Sequence, residues 1–205
     1  GARAGDLAER VVHPNGDVTV LAGDVAGAGV DAALTASFVH GLFVASAAPE
    51  RGPALIAARL AAELRRRGSR HAALWLARLT PSGELFACSA GYPPALWMPA
   101  AGGDPVWLAG GGPPAGTDEA RWEEEQVRLL PGDLVVAVSD GVLQAAGASG
   151  VTFGAERVAE LVAERRRRGL DEIAAAVPAA VREWSGRDEP VDDLALLAIR
   201  FRPDV

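Results

Sequence analysis

Six short runs of strand character follow one another through the middle of the chain: His71 to Leu79, Glu84 to Ala90, Ala95 to Met98, Pro105 to Ala109, Gln126 to Leu130 and Leu134 to Val138. The first four are separated by Pro81-Ser82-Gly83, Gly91-Tyr92-Pro93-Pro94 and Ala101-Gly102-Gly103-Asp104, and Pro131-Gly132-Asp133 separates the last two. Glycine and proline turns at this density predict an antiparallel meander. Another strand, Asp17 to Val25, is entered through the hairpin-like Pro14-Asn15-Gly16. Helical periodicity lies elsewhere. Leu34, Phe38, Leu42 and Ala45 recur at helical spacing from Val30 to Ala47, and Pro53 to Arg67 and Phe153 to Arg168 carry the same period. Leu170 to Trp184 does so through Ile173, Val177 and Val181, with Pro178 expected to kink it or mark its start. Leu194 to Phe201, an almost continuous apolar run, predicts a buried strand. Strands grouped with strands and helices with helices define an α+β chain, not alternating βαβ units.

At 205 residues and 49% hydrophobic, one large domain, residues 1–205, is expected. The net charge of -7 argues against a protein that tracks a nucleic-acid backbone. Cys88 alone cannot staple the fold and reads as a small core residue in a reducing compartment, with the cytoplasm as the expected location. Ala32 to Ala48 contains His40 and Gly41 and is not read as a membrane span. The chain starts with Gly1, so it is expected to be an excised C-terminal part of a longer protein. Arg65, Arg66 and Arg67 read as a solvated helix end that complements the dipole. Gly110 to Asp118, rich in Gly and Pro, is expected to be a mobile surface loop.

Several aspartates share one local design, at the end or start of an apolar strand and beside glycine or another carboxylate. They are Asp24 after Val18-Thr19-Val20-Leu21, Asp140 after Leu134 to Val138, and Asp192-Asp193 before Leu194, with Asp6 after Ala4-Gly5 as a further candidate. Each could be an ordinary turn or cap residue. A carboxylate at a strand end is also held rigidly while facing an open cleft, as a hard-cation site requires. Carboxylates gathered in one cleft would repel unless a cation neutralised them.

These residues sit in motifs that resemble, in order, those of the SpoIIE/RsbU-like branch of the PPM-type protein phosphatases, relatives of the type 2C enzymes. Gly23-Asp24-Val25-Ala26-Gly27-Ala28-Gly29 is similar to G-D-V-S-G-K-G, with Ala32-Ala33-Leu34 following. Ser89-Ala90-Gly91-Tyr92-Pro93-Pro94 resembles N-A-G-H-P-P, Pro131-Gly132-Asp133-Leu134 resembles P-G-D-x, and Ser139-Asp140-Gly141-Val142 resembles T-D-G-V. Phe153-Gly154-Ala155-Glu156-Arg157 stands for F-G-x-E-R, and Asp192-Asp193-Leu194-Ala195-Leu196-Leu197 for D-D-I-T-L-L. The resemblance implies a four-layer αββα sandwich of two antiparallel sheets, lacking here the family's first strand. It also implies a pair of Mn²⁺ or Mg²⁺ ions. Asp24 would bridge them, the Val25 carbonyl would assist, Asp140 and Asp192 would complete the second site, and Asp6 and Asp193 would be further ligands. Catalysis would pass through a metal-activated water held by Asp24, Asp140 and Asp192, without a protein nucleophile. His13, His40 and His71 are scattered and read as structural or surface residues, and Cys88 lacks a phosphate-cradling arginine loop.

The implied substrate is a phosphoserine or phosphothreonine protein, in this branch a STAS-type anti-anti-sigma factor of bacterial signalling. No nucleic acid and no membrane insertion is expected, and a homodimer is left open. The chain departs from the family pattern at Ala8-Glu9, Ala26, Ala28, Tyr92, Leu143-Gln144 and Ala195, where polar or aromatic partners are usual. Weak turnover, or a pseudophosphatase that keeps the fold as a binding module, is the alternative.

Overall fold

The computed structural model describes residues 6–68, 71–118, 120–187 and 191–203. In chain order its elements are β1 (Leu7–Val12), β2 (Val18–Val25), α1 (Gly29–Ser46), α2 (Pro53–Arg66), β3 (Ala72–Leu79), β4 (Glu84–Ala90), β5 (Ala95–Met98), β6 (Val106–Leu108), β7 (Gly111–Gly112), β8 (Glu125–Arg128), β9 (Leu134–Val138), α3 (Asp140–Leu143), α4 (Gly154–Arg165), α5 (Leu170–Ser185) and β10 (Leu196–Arg200). The chain divides into two compact units. One comprises Gly1–Pro94, Leu108–Leu129 and Pro203–Val205, and the other Ala95–Trp107 and Leu130–Arg202.

The first unit is built on a sheet ordered β1-β2-β3-β4-β7, with β8 also paired to β4. β2 is entered as expected: the His13 amide donates to the Asp17 carbonyl at 2.8 Å, and Asn15 Oδ1 accepts the Asp17 amide at 3.1 Å. Asp17 then forms an ion pair with Arg78 of the neighbouring β3 at 2.9 Å, with both side chains largely buried, and the guanidinium lies over the Phe86 ring. Leu21, Val25, Leu74, Leu76 and Cys88 of the sheet pack with Val39 and Phe43 of α1 and Ile56, Leu60 and Leu64 of α2. α1 is long and apolar enough to cross a membrane by length and composition alone. Its Val39 and Phe43 nevertheless belong to this protein core. No side chain caps α2 from its own N-cap, Gly52, and the distant Glu124 carboxylate accepts the Ala54 amide at 3.1 Å instead. At the other end Arg66 bonds Glu63, Arg65 donates to the Thr117 carbonyl and Arg67 covers the Phe38 ring. The arginine run is thus locally engaged.

The second unit is built on a sheet ordered β10-β9-β5-β6. Its central strand β9 is buried throughout. Leu96, Met98, Leu134, Val136 and Val138 pack against Phe153, Val158, Val162, Ile173, Val177 and Val181. The Pro-Gly-Asp turn before β9 is held by Asp133, only 2% exposed. Its carboxylate accepts the Leu130 amide at 3.0 Å, the Ala100 amide at 2.8 Å and the Trp97 indole N–H at 3.1 Å. Three donors compensate the burial of this charge.

Several expectations are corrected. The single meander breaks after β4: β3 and β4 join the first sheet, while β5 and β6 join the second. Gly110 to Asp118 is not a free loop. Gly111–Gly112 pairs in parallel with Ser89–Ala90, Ala72 and Ala115 exchange backbone hydrogen bonds, and Ala115 is fully buried. Only glycine permits this pairing, because a Cβ on Gly111 would collide with the Ser89 carbonyl. β10 is half-exposed along its whole length because it lies at a sheet edge, where among the described residues one flank has no partner strand. Pro178 sits inside a continuous α5. β1, β7 and the short α3 were not anticipated.

Candidate metal centre

Asp24 is the next-to-last residue of β2, a strand buried almost throughout, and is itself half-buried. One antiparallel ladder pairs it directly, and a second ends at its neighbour. It pairs with Ala73 of β3, and on the other side Leu7 of β1 pairs with Gly23. Asp6 and Asp24 are therefore the next residues at one end of the β1–β2 pair. Val25, also expected as a ligand through its carbonyl, pairs with Ala72, and the Ala26 amide donates to the His71 carbonyl at 3.0 Å.

The second unit joins two sequence-distant segments by side-chain chemistry. Asp140 opens α3 directly after β9, and its backbone carbonyl accepts the Gln144 amide at 2.7 Å. The preceding residue, Ser139, is 3% exposed. Its hydroxyl donates to the Asp193 carbonyl at 3.1 Å and accepts the Ala195 amide at 3.0 Å, while its amide donates to the Ala195 carbonyl at 3.0 Å. Asp192 Oδ1 accepts the Asp193 amide at 2.9 Å, which orients its carboxylate. Gly141 makes the approach feasible: a Cβ there would meet the Asp193 carbonyl and lie 3.2 Å from the Asp192 Cβ. Asp140, Asp192 and Asp193 are all exposed at this junction.

Among the described residues, no group of three or more His, Cys, Asp or Glu side chains is gathered as a metal cage. Asp6 and Asp24 belong to one unit, and Asp140, Asp192 and Asp193 to the other. The donor chemistry suits Mg²⁺ or Mn²⁺, because every candidate is a carboxylate or carbonyl oxygen. Two of the three histidines are engaged and the cysteine is buried, while His71 is exposed. His13 shares a buried 2.8 Å hydrogen bond with Thr19, and His40 pairs with Glu9 at 2.5 Å. Burial, helped by the nearby Glu124 charge, pushes the Cys88 thiol up to about 12, which leaves it inert as a nucleophile. Ser139 and Gly141 went unnoticed as positioning residues in sequence. A hydroxyl residue between a wholly apolar strand and an Asp-Gly pair was the available signal.

Solved structures with this fold are PPM-type phosphatase domains. The SiaA-PP2C domain of Pseudomonas aeruginosa matches at a TM-score of 0.85 with 24% identity, over 97% of this chain and 81% of that one. The RsbU and RsbW domains of a Mycobacterium tuberculosis protein match at 0.85 with 22% identity, over 100% of this chain and 57% of that one. RsbX in complex with magnesium matches at 0.69 with 13% identity, over 96% and 87%. No match was found among curated protein sequences. The chain belongs to the family described as Stage II sporulation protein E (SpoIIE), whose model matches residues 14–202.

Proposed function

We propose that this domain hydrolyses phosphoserine or phosphothreonine on a partner protein in bacterial signalling, using two Mn²⁺ or Mg²⁺ ions. The supporting observation is that strand-end carboxylates are retained in both units, with Asp140 and Asp192 brought together by Ser139 and Gly141. On this reading Asp24, Asp140 and Asp192 would be the principal carboxylates that hold the ions, with Asp6, Asp193 and the Val25 carbonyl as further oxygen donors. Bound there, the ions would acidify water and offset charge on the phosphoryl oxygens. The chain's own contribution is rigidity: the β1–β2–β3 ladder fixes Asp24, and the Ser139 clamp fixes the Asp192–Asp193 turn against α3. The substrate we favour is a STAS-type anti-anti-sigma factor in the cytoplasm, in keeping with the RsbU and RsbW domains named in one relative.

A second reading, a pseudophosphatase that binds its partner with little turnover, is favoured by one feature. Ala26, Ala28, Leu143 and Ala195 put apolar side chains beside the acidic motifs, where polar groups could have oriented ligands. Release of phosphate from a phosphorylated STAS protein, measured with and without Mn²⁺, separates the two. Metal-dependent release supports the enzyme, and metal-independent background alone supports the binder.

A further inference from the structure

A cavity of about 220 Å³ opens beside Asp192, lined by Gly141, Gln144, Ala145, Ala146, Val181, Ser185, Arg187, Val191 and Asp192. Every one of these residues belongs to the second unit. Its size sets the occupant. The volume exceeds that of a few waters at ~30 Å³ each and falls below the ~300–1,000 Å³ of small-molecule sites, so it suits one side chain. Its lining is divided. Val181 is buried and Ala145 partly so, giving an apolar floor; Gln144 and Arg187 stand exposed, and Ser185 is half-buried. Among the described residues, Arg187 is the only cation in the lining. The wall carboxylate, Asp192, is assigned above to a cation, so the guanidinium is the charge left to meet an incoming group. A short aliphatic stem ending in a carboxylate matches both the floor and the rim. In a chain of net charge -7, such a local cation is also what lets an acidic segment approach.

We propose that this cavity is a specificity subsite that receives an acidic side chain, Glu or Asp, flanking the phosphorylated residue of the substrate, with Arg187 as its recognition group. The inference rests on the phosphatase reading, because the cavity borders Asp192, but it can be read out by binding alone.

The test uses phosphoserine peptides flanked by Glu, Ala or Lys, titrated by fluorescence anisotropy in Mn²⁺ onto the wild type, Arg187→Lys and Arg187→Glu, alongside hydrolysis of a small aryl phosphate that has no flanks. The wild type should bind the Glu-flanked peptide roughly fivefold more tightly than the Ala-flanked one, a preference weakened by salt as expected of an exposed ion pair. Arg187→Lys should keep the preference and Arg187→Glu should reverse it toward the Lys-flanked peptide, with aryl phosphate hydrolysis unchanged. Equal binding of all three peptides by the wild type overturns the subsite. So does a parallel loss of aryl phosphate hydrolysis in Arg187→Glu, which would place Arg187 on the phosphoryl group. If the wild type turns over nothing yet binds with the stated preference, the subsite stands and the enzyme reading falls.

Discussion

The two acidic corners differ in how they are held. The backbone of Asp24 is paired with β3, and the β1 ladder reaches its neighbour Gly23. Asp140 and Asp192 come from segments about fifty residues apart, joined through the Ser139 hydroxyl and the bare Cα of Gly141. A ladder distributes its support over many hydrogen bonds, so losing one side chain changes little. The β9–β10 ladder also runs up to the Asp140–Asp192 corner, through the pairing of Val138 with Leu196 and the bond from the Ser139 amide to the Ala195 carbonyl. Past its end the loop leans on the Ser139 hydroxyl and Gly141 and should be the more fragile.

The largest effect tests the shared chemistry. Asp140→Asn is expected to reduce Mn²⁺-dependent phosphatase activity to background while leaving the apo fold intact or slightly more stable, since a negative charge is removed at constant size. Paired turnover and thermal-melting assays with and without Mn²⁺ check this, and unchanged turnover would remove Asp140 from the site.

The next compares two glycines. Gly141→Ala would put a Cβ well inside contact distance of the Asp193 carbonyl oxygen and should cost about 2–3 kcal/mol in denaturant unfolding, whereas Gly23→Ala meets a Leu74 methyl at 2.6 Å and the Ala73 carbonyl at 2.8 Å, a milder clash that should cost less. Equal losses would erase the contrast between the corners.

Ser139→Ala removes one donor and leaves the Ala195 amide without its acceptor, so a loss of about 1–3 kcal/mol is expected. Ser139→Thr keeps the hydroxyl and should retain most of the stability and metal dependence. A silent Ser139→Ala would mean that the loop is held by other contacts.

The smallest effect lies in the first unit. The Arg10 amide and the His40 pair hold the Glu9 carboxyl below its ordinary value of 4.5. A lowered folded value adds stability above the ordinary value, and that stability is lost as pH falls through the lowered one. Glu9→Gln should therefore lower the melting temperature slightly at neutral pH, and the difference should vanish under acid conditions. A difference that persists there would assign it to packing.

Local chemistry was legible from residues alone. The bounds of β4, β5 and β9 match the apolar runs between Pro- and Gly-containing turns, because turn residues and side-chain alternation act within a few positions. The strand-end setting of Asp24 and Asp140 was readable for the same reason. The sequence also determined the family, through ordered motifs matched from residue 14 to 202. Tertiary structure alone decided which sheet each strand joined. β5 leaves β4 for β9, a choice made by pairing with residues about forty positions away that periodicity cannot encode. It also decided that Gly111–Gly112 would pair with β4, because the close approach depends on what lies opposite. The clamp at Ser139 is of the same kind. Its hydroxyl has a role only once Asp193 and Ala195 are folded against it, since a hydrogen bond depends on distance in space and not on separation along the chain.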